Sequence, residues 1–425
     1  MQYFQNKLNS LFEFSITSII GIAFIYLLYF SNLSAQTTKQ VVNCRQELSS
    51  KNYIQLRGGL KNCYIQFEKG KNGKVAFLGG SITNMKGWRD MVCNFLKQRF
   101  PETEFEFINA GIPSTGSVPG AFRLERDVLS KGKIDLLFEE AAVNDATNGR
   151  SSVEQIRGME GIVRHVLMVN PNMDIVLLYF VDPEKMAEYN SGREPDVIRN
   201  HEKVADYYNV PSINLALEVT ERINNEEFTW AEDFKDLHPS PFGHQLYLNS
   251  IKTLFEIVWP DEAVKDYKII PHTIPDKKLD SESFDNGKFL PLTRAEIVKG
   301  FKLIRNWNPT DDAGTRNGFV RAPALIAENP GAELKFLFKG TAVGIFAAAG
   351  PDAGKIEYKI DDELFVKLDL FTKWSKGLHL PWLYLLAAGL ENQEHILTLR
   401  TSDDKNEDSR GNACRIFYFV VNEAK

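Results

Sequence analysis

The stretch Lys74-Val75-Ala76-Phe77-Leu78-Gly79-Gly80-Ser81-Ile82-Thr83 decides how this chain is read. An apolar run breaks at two glycines, the pattern of a strand buried on both faces that ends in a tight turn. The turn carries a hydroxyl, Ser81, at the strand's end. Downstream, Trp88, Met91, Val92, Phe95 and Leu96 recur at i, i+3, i+4, i+7 and i+8, one apolar helix face. The local prediction is strand, glycine turn with serine, helix, which is how a sheet presents a nucleophile at its edge.

Working outward, strand-like segments at 75–78, 105–108, 134–138, 175–180 and 212–215 alternate with helical ones. In 153–169, for instance, Val153, Ile156, Val163, Val166 and Leu167 keep an approximate 3.6 period until Asn170-Pro171 stops it. Such alternation predicts an α/β layered domain with a mostly parallel sheet over residues 72–259, whose ligands bind beyond the carboxyl ends of the strands. Ser81 and Asn144 both fall at such ends. Residues 260–291 shift to Asp, Lys, Ser and Pro and read as a connector. Beyond them, 332–348, 355–360, 364–370, 396–400 and 415–421 are strand-like, separated by Gly350-Pro351-Asp352, Asp361-Asp362 and Gly389, with no long helix. The expectation for 292–425 is an all-β sandwich.

A chain of 425 residues exceeds what one core fills, which agrees with two domains. Its 43% hydrophobic and 25% charged residues are those of a globular protein. A net charge of -6 offers no basic footprint, so no nucleic-acid partner is expected. At the N-terminus Lys7 precedes an uncharged stretch over 16–30, and Leu33-Ser34-Ala35 supplies small residues for cleavage. Roughly 15 apolar residues fall short of the roughly 20 that span a bilayer. Residues 1–35 therefore read as a signal peptide, followed by a polar segment over 36–71, and the protein is expected to be secreted or periplasmic. Membrane association is expected only if that leader stays as an uncleaved anchor. The four cysteines are too few for a disulfide scaffold. Cys44 and Cys63 are candidates for a bridge, free thiols being the alternative, and Cys93 is read as a small apolar residue on its helix.

Acyl transfer through serine needs a nucleophile, a base, a group to orient the base, and donors aimed at the developing oxyanion. Ser81 supplies the first, together with its own N–H as a donor. His238, in Asp236-Leu237-His238-Pro239-Ser240-Pro241-Phe242-Gly243-His244, is the candidate base, and Asn144, in Ala142-Val143-Asn144-Asp145, offers a side-chain amide. Other polar residues read differently. His244 is expected to be structural. Glu139 and Glu140, adjacent on a strand, point to opposite faces and make poor partners for one glycosidic bond. Asp182 either lines the cleft or caps the segment after Pro183. Of Arg89, Arg123 and Arg126, which would suit an anionic substrate, at least two are expected on solvated helix faces. Seven scattered histidines without Cys or carboxylate at ligand spacing predict no metal, and no cofactor is expected.

Over residues 72–257 the arrangement resembles the SGNH (GDSL-type) hydrolase superfamily, with four blocks in the family's order. They are Gly79-Gly80-Ser81-Ile82-Thr83, Asn109-Ala110-Gly111-Ile112-Pro113-Ser114-Thr115-Gly116-Ser117, Asn144-Asp145, and His238-Pro239 with Gly243-His244. The resemblance implies a flavodoxin-like three-layer fold, Ser81 as nucleophile, His238 as base, and an oxyanion hole of Ser81, Ser114 and Asn144. Three departures matter. Ser114 stands where the family usually has Gly, and Ala142 replaces a Gly. Lys235 occupies the position of the orienting Asp, three residues before the His, so Asp236 is the first candidate, then Asp233, with a backbone carbonyl as third option. The segment 330–362 resembles jelly-roll accessory domains found beside carbohydrate esterases. That likeness implies an acylated glycan, most simply an O-acetylated one, as substrate, with Trp374, Trp382 and Tyr384 either stacking on sugar rings or buried. A lipase or thioesterase, and a glycan-binding protein with a decayed site, are the competing readings.

Overall fold

A computed structural model describes residues 48–259 and 268–423. The predicted leader and Cys44 lie outside the described residues. The first lobe runs β1 (Ile54–Gln55), α1 (Lys61–Gly70), β2 (Asn72–Gly79), α2 (Ser81–Asn84), α3 (Trp88–Arg99), β3 (Glu104–Gly111), α4 (Ser117–Asp127), β4 (Leu136–Glu139) and α5 (Ala142–Thr147). It continues with α6 (Ser152–Val169), β5 (Asp174–Leu178), α7 (Pro183–Asn190), α8 (Asp196–Tyr207), β6 (Ser212–Ile213), α9 (Leu215–Asn224) and α10 (Pro241–Val258). The sheet order is β1-β6-β5-β4-β2-β3, parallel throughout except for the short edge strand β1. Leaving β1 aside, this is the flavodoxin-like order, whose direction of winding reverses between β2 and β4. Right-handed crossovers then place helices on both faces. α3 packs on α10, while α4, α6 and α8 pack in series.

The central strands explain themselves chemically. Val75, Phe77, Leu136, Phe138, Val176 and Leu177 are fully buried, as strands covered on both faces require. Phe77 stacks on Phe138 at 5.2 Å, and Trp88 meets both edge-on while donating its indole N–H to the Ile82 carbonyl at 3.1 Å. This pins the start of α3 over the turn that holds Ser81. The expected polar segment before residue 72 is instead part of this lobe. β1 pairs with β6, and α1 buries Cys63, Tyr64, Ile65 and Phe67. Cys63 is a buried free thiol whose Sγ faces the Leu60 carbonyl.

The second lobe is all antiparallel: β7 (Gly287–Leu290), β8 (Ala295–Lys299), β9 (Lys302–Trp307), β10 (Ala322–Ala327), β11 (Glu333–Ala349), β12 (Lys355–Ile360), β13 (Val366–Asp369), β14 (Leu380–Thr401) and β15 (Cys414–Asn422). The path is β13-β12-β14-β11-β15-β10-β9, with β7 on β15 and β8 on β11. The long strands β11 and β14 form the spine of a sandwich, around a core that includes Phe336, Ile345, Ile356, Leu397 and Phe419. Gly389, read as a separator, lies inside β14 at φ +73 opposite the register shift at Gly340. It marks a bulge, so the strand continues through it.

The connector is also shorter than expected. β7 belongs to the sandwich, and described residues upstream of it lie along the first lobe. The buried Glu160 carboxylate of α6 accepts the Leu279 and Asp280 N–H groups at 2.5 and 2.8 Å, and Arg157 meets Asp280 at 3.0 Å. Besides its own core, the sandwich packs one face onto the core of the hydrolase lobe. Phe122 contacts Phe284 at 5.1 Å, and Trp307, Phe319, Phe346 and Leu383 join the cluster built on the parallel sheet.

Candidate active site

β2 ends at Gly79, beside the point where the sheet reverses, and Ser81 opens α2. The two glycines are there because neighbours come too close for a side chain. A Cβ on Gly79 would lie 2.4 Å from Thr83 Oγ1, and one on Gly80 would lie 1.9 Å from Asn144 Oδ1. The Gly80 approach brings the Asn144 amide against the peptide that precedes the serine. Among the described residues neither the Ser81 N–H nor the Asn144 amide has a hydrogen-bond partner.

Ser81 Oγ meets His238 Nε2 at 2.7 Å, across 157 residues of sequence. His238 sits in a loop stitched from within. Trp230–Phe234 forms a π-helical turn capped by Thr229, whose Oγ accepts the Glu232 N–H at 3.1 Å. Asp233 Oδ2 accepts the Thr229 N–H and hydroxyl at 2.8 and 3.2 Å. Lys235 follows at φ +79, and Ser240 Oγ donates to the Asp233 carbonyl at 2.5 Å while capping α10.

This loop does not bring a carboxylate to the imidazole. Asp236 Oδ1 accepts the backbone N–H of His238 at 3.4 Å and does not reach the ring. Asp233 is occupied by Thr229, and no backbone carbonyl takes the role either: Nδ1 of His238 has no acceptor among the described residues. The physical reason lies in the loop's course. The π-helical turn and the left-handed Lys235 take up the chain that would swing an Asp behind the ring, leaving Asp236 and His238 both exposed.

Ser114 occupies the family's glycine position in the conformation that favours glycine, at φ +69. Its N–H has no acceptor among the described residues, and its carbonyl accepts Asn148 Nδ2 at 3.0 Å. Asp145, fully buried, accepts the Ser117 N–H at 2.9 Å, the Ser117 hydroxyl at 2.5 Å and His201 Nε2 at 3.1 Å. The second and third blocks are thus joined through side chains of α5. Asn148 and His201 were not singled out in the sequence. The signal for Asn148 was its spacing of four from Asn144, whereas His201 is distant and offered none.

The remaining polar residues find other work. Arg123 is fully buried and ties the carboxyl ends of two strands, donating to the Ala110 and Gly79 carbonyls at 2.6 and 3.0 Å. Burial lowers its pKa, and Asp127 opposes that. Arg126 lies over Phe289 at 4.6 Å, on the sandwich, and Arg89 donates to the Thr83 carbonyl. Only Arg89 and Arg126 keep solvent contact, and neither is free for a substrate. Asp182 caps α7, accepting the Lys185 N–H at 2.9 Å and pairing with its ammonium. His244 is buried against Gly87, with its pKa lowered by burial. Glu139 and Glu140 are buried beneath the site. Burial pushes Glu139 well above the carboxylate range and Glu140 up to about 7, although Glu140 accepts the Val143 N–H at 3.1 Å.

The sandwich reaches the same region. Lys373 Nζ donates to the Thr147 carbonyl at the end of α5, and Arg150 donates to the Leu383 carbonyl and lies over Trp382 at 5.7 Å. Tyr384 is buried, with its hydroxyl on the Leu370 carbonyl, whereas Trp374 is 41% exposed.

Residues 77–246 match the GDSL-like lipase/acylhydrolase family. Comparison with curated proteins finds no match. Two solved structures of a two-domain esterase active on acetylated mannans, one co-crystallised with mannopentaose, are similar over 89% of this chain and 98% and 99% of theirs. Their TM-scores are 0.71 and 0.72, at 23% and 22% identity, so the shared fold extends over both lobes. Over residues 77–246 the chain is thus similar to the GDSL-like lipase/acylhydrolase family, and its two-lobe fold is that of the two solved esterase structures.

Proposed function

We propose that this protein removes O-acyl groups, chiefly acetyl, from a polysaccharide or oligosaccharide, through an acyl-enzyme on Ser81. The observation that carries the chemistry is the 2.7 Å contact between Ser81 Oγ and His238 Nε2 at the carboxyl edge of the sheet. His238 Nε2 accepts the hydroxyl proton as Ser81 attacks the ester carbonyl, then returns a proton to the departing sugar oxygen. Water repeats the cycle in reverse to release the acid. The Ser81 and Ser114 N–H groups and the Asn144 amide bind the oxyanion. Ser81 and His238 act as a dyad, with the Nδ1 proton carried by solvent.

The glycan reading is supported by the likeness of both lobes to an esterase active on acetylated mannans and by an exposed indole near the site. Lys373 at Thr147 brings the neighbouring exposed Trp374 close to the helix that bears Asn144, where an indole face suits a sugar ring. The reading of residues 1–35 as a secretory leader supports a location outside the cytoplasm, where such polymers are met. The test is a screen of acetate release from acetylated mannan, xylan and pectin against long-chain esters, on protein lacking residues 1–35. Covalent labelling by a fluorophosphonate, lost in Ser81→Ala, is expected. Preference for long-chain esters would overturn the glycan reading, and absence of labelling would overturn the acyl-enzyme.

A further inference from the structure

Helix α5 carries two asparagines four residues apart, Asn144 within it and Asn148 at its C-terminal cap, a spacing that sets both on one face. Asn144 lies against Gly80, and Asn148 Nδ2 donates to the Ser114 carbonyl at 3.0 Å. Ser114 is the residue under conformational strain, a non-glycine at φ +69. We infer that Asn148 is a positioning residue for the oxyanion hole, holding Ser114 left-handed so that its N–H points at the reacting carbonyl oxygen. This rests on the proposed role of the Ser114 N–H.

The N–H and the carbonyl of Ser114 lie on successive peptide planes joined only by its φ and ψ. The plane that bears the N–H starts from Pro113, whose ring fixes its own φ near −65°. Once the carbonyl is held, little freedom remains between the two. Asp145, next on the same helix, secures the chain further along through the Ser117 N–H and hydroxyl. Its Oδ1 sits 2.1 Å from where a Gly116 Cβ would be. The Ser114 carbonyl has no other donor among the described residues. Without Asn148, a residue with a Cβ relaxes toward negative φ, and the N–H rotates with it.

The experiment compares Asn148→Ala and Asn148→Asp with Asn144→Ala in steady-state hydrolysis of p-nitrophenyl acetate, with thermal unfolding measured in parallel. Aspartate keeps the shape but only accepts, so it faces the Ser114 carbonyl as a second acceptor. Both Asn148 variants are expected to lower kcat about tenfold or more, approaching the ~10²-fold loss of a whole oxyanion donor. KM should stay within about twofold, the pattern of an interaction made in the transition state. Adding Ser114→Gly to Asn148→Ala should recover part of kcat, since glycine populates positive φ readily. Ser114→Ala should not. Wild-type kcat in the Asn148 variants, a fall in unfolding temperature alone, or no recovery with Ser114→Gly would overturn the inference while Asn144→Ala still loses activity. If Asn144→Ala also keeps full kcat, the oxyanion-hole assignment fails instead.

Discussion

Asp236→Asn separates a dyad from a triad. Where a carboxylate orients the catalytic imidazole, replacing it with the amide lowers kcat roughly 10⁴-fold. In this protein the Asp236 carboxylate touches only the backbone N–H of His238, at 3.4 Å on an exposed loop. Such a hydrogen bond contributes about 1 kcal/mol at most, and the asparagine oxygen still accepts it. Converted to a barrier, about 1 kcal/mol is roughly fivefold in rate. The expected result is therefore kcat/KM for p-nitrophenyl acetate within about fivefold of wild type in Asp236→Asn. His238→Ala should fall about 10³-fold or more, because the base itself is gone. Both variants should unfold at the wild-type temperature, which excludes a folding defect. A loss above about a hundredfold in Asp236→Asn would refute the reasoning, since a backbone contact of that kind cannot supply it.

Two further outcomes follow from close packing and buried charge. Gly80→Ala would place a Cβ 1.9 Å from Asn144 Oδ1, so Asn144 must leave its place. The expected loss in kcat is about 10²-fold, the worth of one oxyanion donor, and stopped-flow acylation kinetics would locate it in the chemical step. Glu140 holds its proton more tightly folded, with a pKa of about 7, than at its ordinary value of 4.5. Its stabilising contribution is complete below the unfolded value and is lost as pH rises toward 7. Glu140→Gln keeps an acceptor for the Val143 N–H and cannot ionise. It should flatten the pH dependence of stability between pH 5 and 8 and raise stability at pH 8 by up to about 3 kcal/mol in urea unfolding.

The hydrolase lobe was readable because its signals are local. The 75–81 run, the helical face from Trp88 to Leu96 and the punctuating Asn170-Pro171 all describe the backbone they produce. The Ser81–His238 pair was readable from two blocks far apart in sequence. What escaped the reading depends on contacts between distant residues. α1 reads as polar in sequence because its buried face is covered by distant residues, Asp174 of β5 and Trp259 at the end of α10. Gly389 looked like a turn because a bulge and a hairpin use the same residue for the same positive φ. Arg123 reads, with Arg89 and Arg126, as a cation for an anionic substrate or a solvated helix face, yet the carbonyls at the ends of β2 and β3 supply the acceptors that let its guanidinium lie inside. The orienting carboxylate could not be placed from spacing, because a π-helical turn spends one more residue than an α turn.

The docking of residues 270–285 along α6 and α1 bears on how a polymer would be handled. A binding module on a loose tether raises the local concentration of its polymer, and its benefit falls off smoothly as the tether lengthens. A sandwich packed by one face onto the core of the hydrolase lobe searches nothing. Under the proposed function it would act as a fixed ruler, so any gain from a longer substrate would arrive in a step, at the chain length that first spans from Ser81 to the sandwich.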